Sequence, residues 1–297
     1  MLRTVPGFDF WRTVLSHGWY ALSPFSYDAV LRQLSRVLEL GDGTVVHTLL
    51  RGMPDKSVGV TATSSSTLNA DRRREVERQL RTCLRLDEDF SDFYAETRRH
   101  PHYRWISRSG AGRMLRSPTV FEDAVKMICT TNCTWALTTL MAENLVRRFG
   151  TVGDTGYRTF PHPEAIARST EAVLRTQCKT GYRSPFLLDL ARRVADGTLD
   201  VESWRTTDAP TEELYRHMHT AKGIGPYAAG NLLKLVGRYE YLGLDSWVRA
   251  RYYKLHTGGR RVKDSTIEKR YTPYGRWRGL LFWLEMTQYW HDDKFTV

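Results

Sequence analysis

The chain has 297 residues, 41% of them hydrophobic and 26% charged, an ordinary globular composition that excludes a disordered or fibrous protein. That length buries a core without disulfide staples and suits one large domain or two to three small ones. Lysine and arginine number 44 against 33 acidic residues, a net charge of +11, which suits a polyanionic partner, either nucleic acid or an anionic membrane face.

At the N-terminus, Arg3, Asp9 and Arg12 interrupt the window where a signal peptide needs an unbroken apolar stretch. An intracellular, cytoplasmic protein is expected. Three strands are predicted next: Leu34 to Leu40, Thr44 to Leu50 after the turn Gly41-Asp42-Gly43, and Ser57 to Thr63 after Gly52-Met53-Pro54-Asp55. Turn residues at those intervals, with β-branched residues between, are the hairpin pattern. A Ser/Thr-rich stretch, Thr61 to Thr67, leads into a predicted helix from about Asp71 to Leu84.

From Ser117-Pro118 onward the pattern is helical. Phe121, Val125, Ile128, Asn132, Trp135 and Thr139 recur at spacings of three or four and predict one long amphipathic helix. Its uncharged run, Met127 to Ala142, is broken by Asn132 and several threonines and falls short of the about 20 mostly apolar residues that a membrane span needs. Cys129 and Cys133 lie four apart on that predicted helix, with no CxxC or histidine-rich partner, so they read as small buried thiols rather than metal ligands. With Cys83 and Cys178 they are expected to stay reduced inside a cell. Ser184-Pro185 predicts a helix start and Gly197 its end. Further helices are expected at about 211–221, 226–237, 246–256 and 276–290. The expected class is α+β: a small N-terminal antiparallel sheet domain with flanking helices over 1–105, then a mainly helical region over 106–297.

The stretch Ala221 to Arg251 carries the chemistry. A predicted helix runs into Gly223-Ile224-Gly225-Pro226, and a second helix follows. Two glycines around one apolar residue permit a tight hairpin between helices. Ile224 plugs it, and the free N–H groups opening the second helix form a phosphate site that needs no base contact. Twenty residues after Gly225 comes Asp245, at the start of another predicted helix. There it is either a plain helix cap or a reactive carboxylate.

Gly-Ile-Gly-Pro-Tyr-Ala-Ala followed by this spaced aspartate resembles the helix-hairpin-helix, Gly/Pro-loop and Asp motif of the base-excision DNA glycosylase superfamily. Leu115-Arg116-Ser117-Pro118, Phe160 to Ala167 and Gly181-Tyr182-Arg183 resemble segments of its 8-oxoguanine and 3-methyladenine branches. The likeness covers nearly the whole chain, more weakly before residue 100. It implies a helix-hairpin-helix over about 211–237 and Asp245 as the catalytic carboxylate. It implies Lys222, Gly223, Ile224 and Gly225 at the DNA backbone, with Arg249 nearby. Asn132 would enter the gap left by an extruded nucleotide, and Arg183 would contact the orphaned opposite base. Bifunctional members carry a lysine two residues after the second hairpin glycine, where this chain has Tyr227. A phenol cannot form the Schiff base of the lyase reaction, so a monofunctional hydrolase is expected.

A flipped base is held by stacking, and a cationic alkylated base gains further from π faces. Tyr227, Trp247, Trp277, Trp283 and Phe25 are therefore expected to line the base pocket. Lys222 and Lys234 have the plainer roles of phosphate contact and solvated surface. Between Arg249 and Arg278 there are ten basic and two acidic residues, a clustered charge that suits a duplex-binding face. The expected partner is double-stranded DNA containing a damaged base, and the protein is expected to act as a monomer. No organic cofactor or structural metal is implied; a monovalent cation bridging hairpin carbonyls to a phosphate follows from the resemblance. An alkylated purine is the expected substrate. The rivals are an oxidised-purine glycosylase and a non-catalytic lesion-binding protein.

Overall fold

The computed structural model describes residues 1–295 of the chain, with side chains described to His291. A short helix, α1 (Phe10–Val14), is capped by Asp9, whose carboxylate accepts the Arg12 N–H at 2.8 Å. An antiparallel meander follows in the order β1 (Phe25–Asp28), β2 (Gln33–Glu39), β3 (Val45–Gly52), β4 (Val58–Thr63). The register pairs Leu38 with Val46 and Leu34 with Leu50. All four are buried, because alternate residues of a strand share a face and this face meets the core. Three strands lie within about two residues of the expected limits. The fourth, β1, is only four residues long and carries little pattern.

Next come α2 (Ala70–Leu84), capped by Asn69, then α3 (Ser91–Arg99) and α4 (Arg104–Ser109). The helical part begins with α5 (Val120–Thr130) and α6 (Trp135–Phe149). These correct the expectation of one long helix. The chain leaves the helix at Thr131, Asn132 takes a left-handed φ of 46°, and Thr134 caps α6 by accepting the Leu137 N–H. The apolar periodicity runs through the break because both helices bury a face in the same core. The polar run Thr130–Thr134 supplies the hydroxyls and the amide that favour caps and turns. Cys133 thus sits in the turn, its thiol against the Cys129 carbonyl. All four cysteines are free thiols.

The remaining helices are α7 (Pro163–Ala167), α8 (Glu171–Thr176), α9 (Ser184–Ala195), α10 (Thr211–Met218), α11 (Pro226–Leu235), α12 (Ser246–His256), α13 (Asp264–Tyr271) and α14 (Arg278–Phe295). The sheet's inner residues share one core with α2, α5, α6, α9 and α11. Among the described residues no helix is long and apolar enough to cross a membrane.

Two polar devices join the sheet region to the helices. Arg36 on β2, wholly buried, makes a two-pronged contact with Glu122 on α5 at 2.6 and 2.7 Å, and Lys126 adds 2.6 Å. Burial alone would raise the Glu122 pKa, but Arg36 and Lys126 outweigh it and hold the carboxyl at about 2. The second device is at the end of α11. Arg85 donates to the carbonyls of Lys234 and Leu235 at 2.9 and 3.0 Å, and Arg116 to Leu235 at 3.1 Å. Two guanidinium groups thereby satisfy the orphan carbonyls and complement the negative end of the helix.

Candidate active site

The hairpin between α10 and α11 turns on Gly223, whose φ is 87°. A Cβ there would lie 2.8 Å from the Phe186 Cβ, so glycine is required on both conformational and steric grounds. Ile224 is buried between the helices. Gly225 caps α11 and Pro226 occupies its first position. The first bond into the helix runs from Ala229 N–H to the Gly225 carbonyl. The N–H groups of Gly225, Tyr227 and Ala228 therefore have no acceptor within the helix. Lys222 projects into solvent near Asp189, at 3.8 Å.

Tyr227 projects from the first turn of α11 into a cavity of about 540 Å³. Burial pushes its phenol above the usual tyrosine range, so it is neutral at physiological pH. Asp245 lines the same cavity. What brings the two together is a backbone-to-backbone approach. A Cβ on Gly230, mid-helix in α11, would lie 2.9 Å from the Gly243 Cα. With glycine at both positions, the 242–245 segment lies directly on the helix. Asn231 then donates to the Gly243 carbonyl at 3.2 Å, and the Lys234 ammonium to the Leu242 carbonyl at 2.8 Å. Asp245 follows as the cap of α12, with Oδ1 accepting the Val248 N–H at 2.8 Å. Its other oxygen, Oδ2, makes no hydrogen bond among the described residues. Capping and reactivity are thus divided between the two oxygens of one carboxylate.

The cavity walls are aromatic. Trp247 and Trp283 stand 6.1 Å apart, with Trp290 at 5.4 Å from the first and 5.8 Å from the second. Trp283 is fixed by its Nε1–H, which donates to the Ser16 carbonyl at 3.1 Å. The segment 15–20 builds the facing wall with His17, Trp19 and Tyr20, and Trp135 from the start of α6 closes over Gly18. Sequence reasoning missed this wall. Its residues come from the N-terminus and from α6, both far from the hairpin in the sequence, and a single Trp-Tyr pair after a glycine is not a motif.

Among the described residues, Asp245 is the only carboxylate that lines the cavity, and no lysine or arginine lines it. Lys234 is fully buried behind Gly230, donating also to the Gly230 carbonyl and to Asn231 Oδ1. This corrects the expectation of a solvated or phosphate-binding lysine.

Two expected pocket residues lie elsewhere. Phe25 is buried beneath the Arg36 guanidinium (4.5 Å) and the Lys126 ammonium (5.0 Å), in the core between sheet and α5. Trp277 stacks on Tyr239 at 5.4 Å and packs on Phe93 at 5.1 Å in a separate cluster. Both aromatics serve packing, the commoner use of such side chains.

Asn132 is exposed on the 131–134 turn, between Thr130 and Cys133, which line the cavity. Its amide donates to the Tyr182 hydroxyl at 3.4 Å. Asn132 is therefore on a rim loop, not on a helix face. Arg183 is buried, donating to the Thr131 carbonyl beneath the Tyr182 ring. It braces the turn from inside, which leaves Tyr182, 46% exposed, as the outward side chain of the Gly-Tyr-Arg segment. Arg249 is paired with Asp264 at 2.7 and 2.8 Å, so part of the basic window is internally neutralised.

No protein-family profile matches the chain. The DNA-3-methyladenine glycosylase of Bacillus subtilis (strain 168) is 26% identical over 166 residues, 54% of each chain. The chain thus spans about half the length of this curated relative. Among solved structures, a 3-methyladenine DNA glycosylase from Archaeoglobus fulgidus superposes with a TM-score of 0.76 at 20% identity, over 100% of this chain and 99% of that one. An 8-oxoguanine glycosylase/lyase from Clostridium acetobutylicum, bound to double-stranded DNA with cytosine opposite 8-oxoguanine, gives 0.65 at 18% identity, over 88% and 89%. The chain has the fold of the helix-hairpin-helix DNA glycosylases, with the N-terminal sheet included in the first superposition.

Proposed function

We propose that the protein is a monofunctional DNA glycosylase that draws an alkylated purine out of duplex DNA and hydrolyses its N-glycosidic bond. The observation that carries this reading is the composition of the cavity: among the described residues, aromatic rings surround one carboxylate and no amine lines it. A purine made cationic by alkylation gains from π faces and from the Asp245 charge. A neutral oxidised purine gains less from both. As the C1′–N bond breaks, its electron pair passes to the base and cancels the base's positive charge. Positive charge builds on the sugar, and the unused oxygen of Asp245 stabilises it. Water then adds at C1′ and gives up its proton to Asp245 or to solvent.

The phenol of Tyr227 cannot form an imine, and the Lys234 ammonium is fully buried and held by the Gly230 and Leu242 carbonyls and Asn231 Oδ1, so no strand cleavage is expected. The hairpin N–H groups and Lys222 would hold the DNA backbone. The Gly223 and Ile224 carbonyls accept none of the backbone bonds of the hairpin, which leaves them for a monovalent cation shared with a phosphate.

The test is an excision assay on duplexes carrying a 3-methylpurine analogue, hypoxanthine, 8-oxoguanine or uracil, with and without alkali. The 3-methylpurine duplex should break only after alkali, and Asp245→Asn should lower the rate by roughly 10²- to 10³-fold while duplex binding persists. Breakage without alkali would overturn the monofunctional assignment. Preference for 8-oxoguanine would move the substrate to the oxidised purines. Tight binding with no excision of any base would favour a lesion-binding role.

A further inference from the structure

We infer that His17 is a specificity-determining residue, whose Nδ1 accepts a hydrogen bond from an N–H donor on the edge of the bound purine. The inference rests on the base-pocket reading given above and extends it to the choice of base.

His17 lines the cavity but is only 6% exposed. Trp135 and Trp247, at 44% and 38%, mark the more open part of the same cavity. Only a group that has entered the cavity therefore reaches the imidazole. Its Nε2 lies 2.6 Å from the Leu115 carbonyl. A carbonyl oxygen only accepts, so Nε2 carries the proton. Burial drives the histidine down to about 4, against the opposing effect of that hydrogen bond, and Arg85 and Lys126 add to the lowering. The ring is thus neutral near pH 7. A neutral imidazole with its proton on Nε2 has a lone pair on Nδ1. This nitrogen makes no hydrogen bond among the described residues, yet it is not among the buried side-chain atoms sealed without a partner. It keeps access to the cavity.

The ring is also held in place. Ser16 Oγ accepts the Leu115 N–H at 3.0 Å and donates to the Thr13 carbonyl at 2.7 Å. The Ser16 carbonyl receives the Trp283 indole. Trp19 lies 4.8 Å from the imidazole. The cavity therefore presents a fixed acceptor inside aromatic walls. A base offering an amine or ring N–H at that point satisfies it, and a base offering a carbonyl oxygen or an N-methyl group leaves two lone pairs opposed or the acceptor unpaired. Alkylation makes a purine's N–H groups more acidic and so strengthens this bond. That couples the His17 contact to the charge preference of the aromatic walls.

The experiment uses free bases and the full chain, with tryptophan fluorescence as the readout. 3-Methyladenine, which has an exocyclic amine, is compared with its N6,N6-dimethyl counterpart. The wild-type protein should bind the amine-bearing base roughly tenfold more tightly. His17→Phe keeps a flat ring and carries no acceptor, so it should bind the two bases nearly equally. Discrimination that survives in His17→Phe would come from bulk alone and would overturn the inference, as would its absence from the wild type. Binding of neither base would overturn the base-pocket reading together with it, so the two failures are distinguishable. A measurement on the wild type alone guards against a misfolded variant. In protein labelled with ¹⁵N-histidine, the unprotonated Nδ1 resonance should move on addition of 3-methyladenine but not of the dimethyl base. An Nδ1 signal unchanged by both would again overturn the inference.

Discussion

Lys234 carries three acceptors around its ammonium, the carbonyls of Gly230 and Leu242 and the Asn231 amide oxygen, in a position with no exposure to solvent. Three acceptors match the three donors of an ammonium, while burial favours the neutral amine. Burial prevails and lowers the pKa to about 7, with Asp245 opposing. At pH 7 and below, the folded chain bears the cost of a buried charge. Between about 7 and 10.5 the unfolded chain binds a proton that the folded chain does not, so stability from this group rises with pH. Lys234→Met removes the titration. Its Tm, compared with wild type, should shift in favour of the wild type as the pH is raised from 7 to 10. A difference independent of pH would show that the ammonium is not strained. The lysine's position was legible in the sequence, but its burial was not, because the segment that covers it arrives through a glycine contact. The same distinction separates the site residues. Tyr227 and Asp245 follow from local spacing around the hairpin. Trp283 and Trp277 are equivalent in the sequence, and only long-range packing sends one to the cavity and the other onto Tyr239 and Phe93.

At the level of elements, the site depends on how the 242–245 segment lies on α11. Alanine is a better helix former than glycine by about 1 kcal/mol, so propensity alone makes Gly230→Ala stabilising. The contact reverses that sign. The new Cβ would meet the Gly243 Cα, a backbone atom, at 2.9 Å, and the neighbouring Gly243 has a φ of 63° that resists replacement. Overpacking of this kind costs roughly 1–3 kcal/mol. Gly230→Ala should lower Tm by a few degrees and slow excision by moving Asp245. A variant with raised Tm and unchanged excision would show that the segment shifts freely. The hairpin and its two helices were readable because a tight turn leaves a compact signature in glycine, proline and spacing. The break between α5 and α6 was not, since its apolar residues keep helical phase across the turn.

Across the whole molecule, the sheet region sets the orientation of the hairpin helix. Arg85 and Arg116 grip the C-terminal end of α11, whose N-terminal end is the hairpin, while Arg36 locks β2 onto α5 through Glu122. The α+β class was legible from turn spacing and helical periodicity. These cross-links were not, because arginine on a predicted strand is ordinarily read as surface. Glu122 offers the test. Its pKa is about 2 in the folded protein against an ordinary 4.5. The stability it lends is fully present above pH 4.5 and is lost as the pH falls from there toward 2. Glu122→Gln keeps the shape but leaves Arg36 and Lys126 buried with no counter-charge. Removing one partner of a buried ion pair costs about 3–5 kcal/mol, so the variant should unfold at markedly lower urea concentration at pH 7. As the medium is acidified below pH 4.5, the wild type should lose stability and the gap between the two should narrow. A gap that stays constant down to pH 3 would mean that the carboxylate's charge does not hold the two regions together. Because α5 also ends at the cavity rim, with Thr130 lining it, Glu122→Gln at pH 7 should weaken binding of a purine base even where the chain remains folded. The sheet would then act on the site through α5, and not only through the shared core.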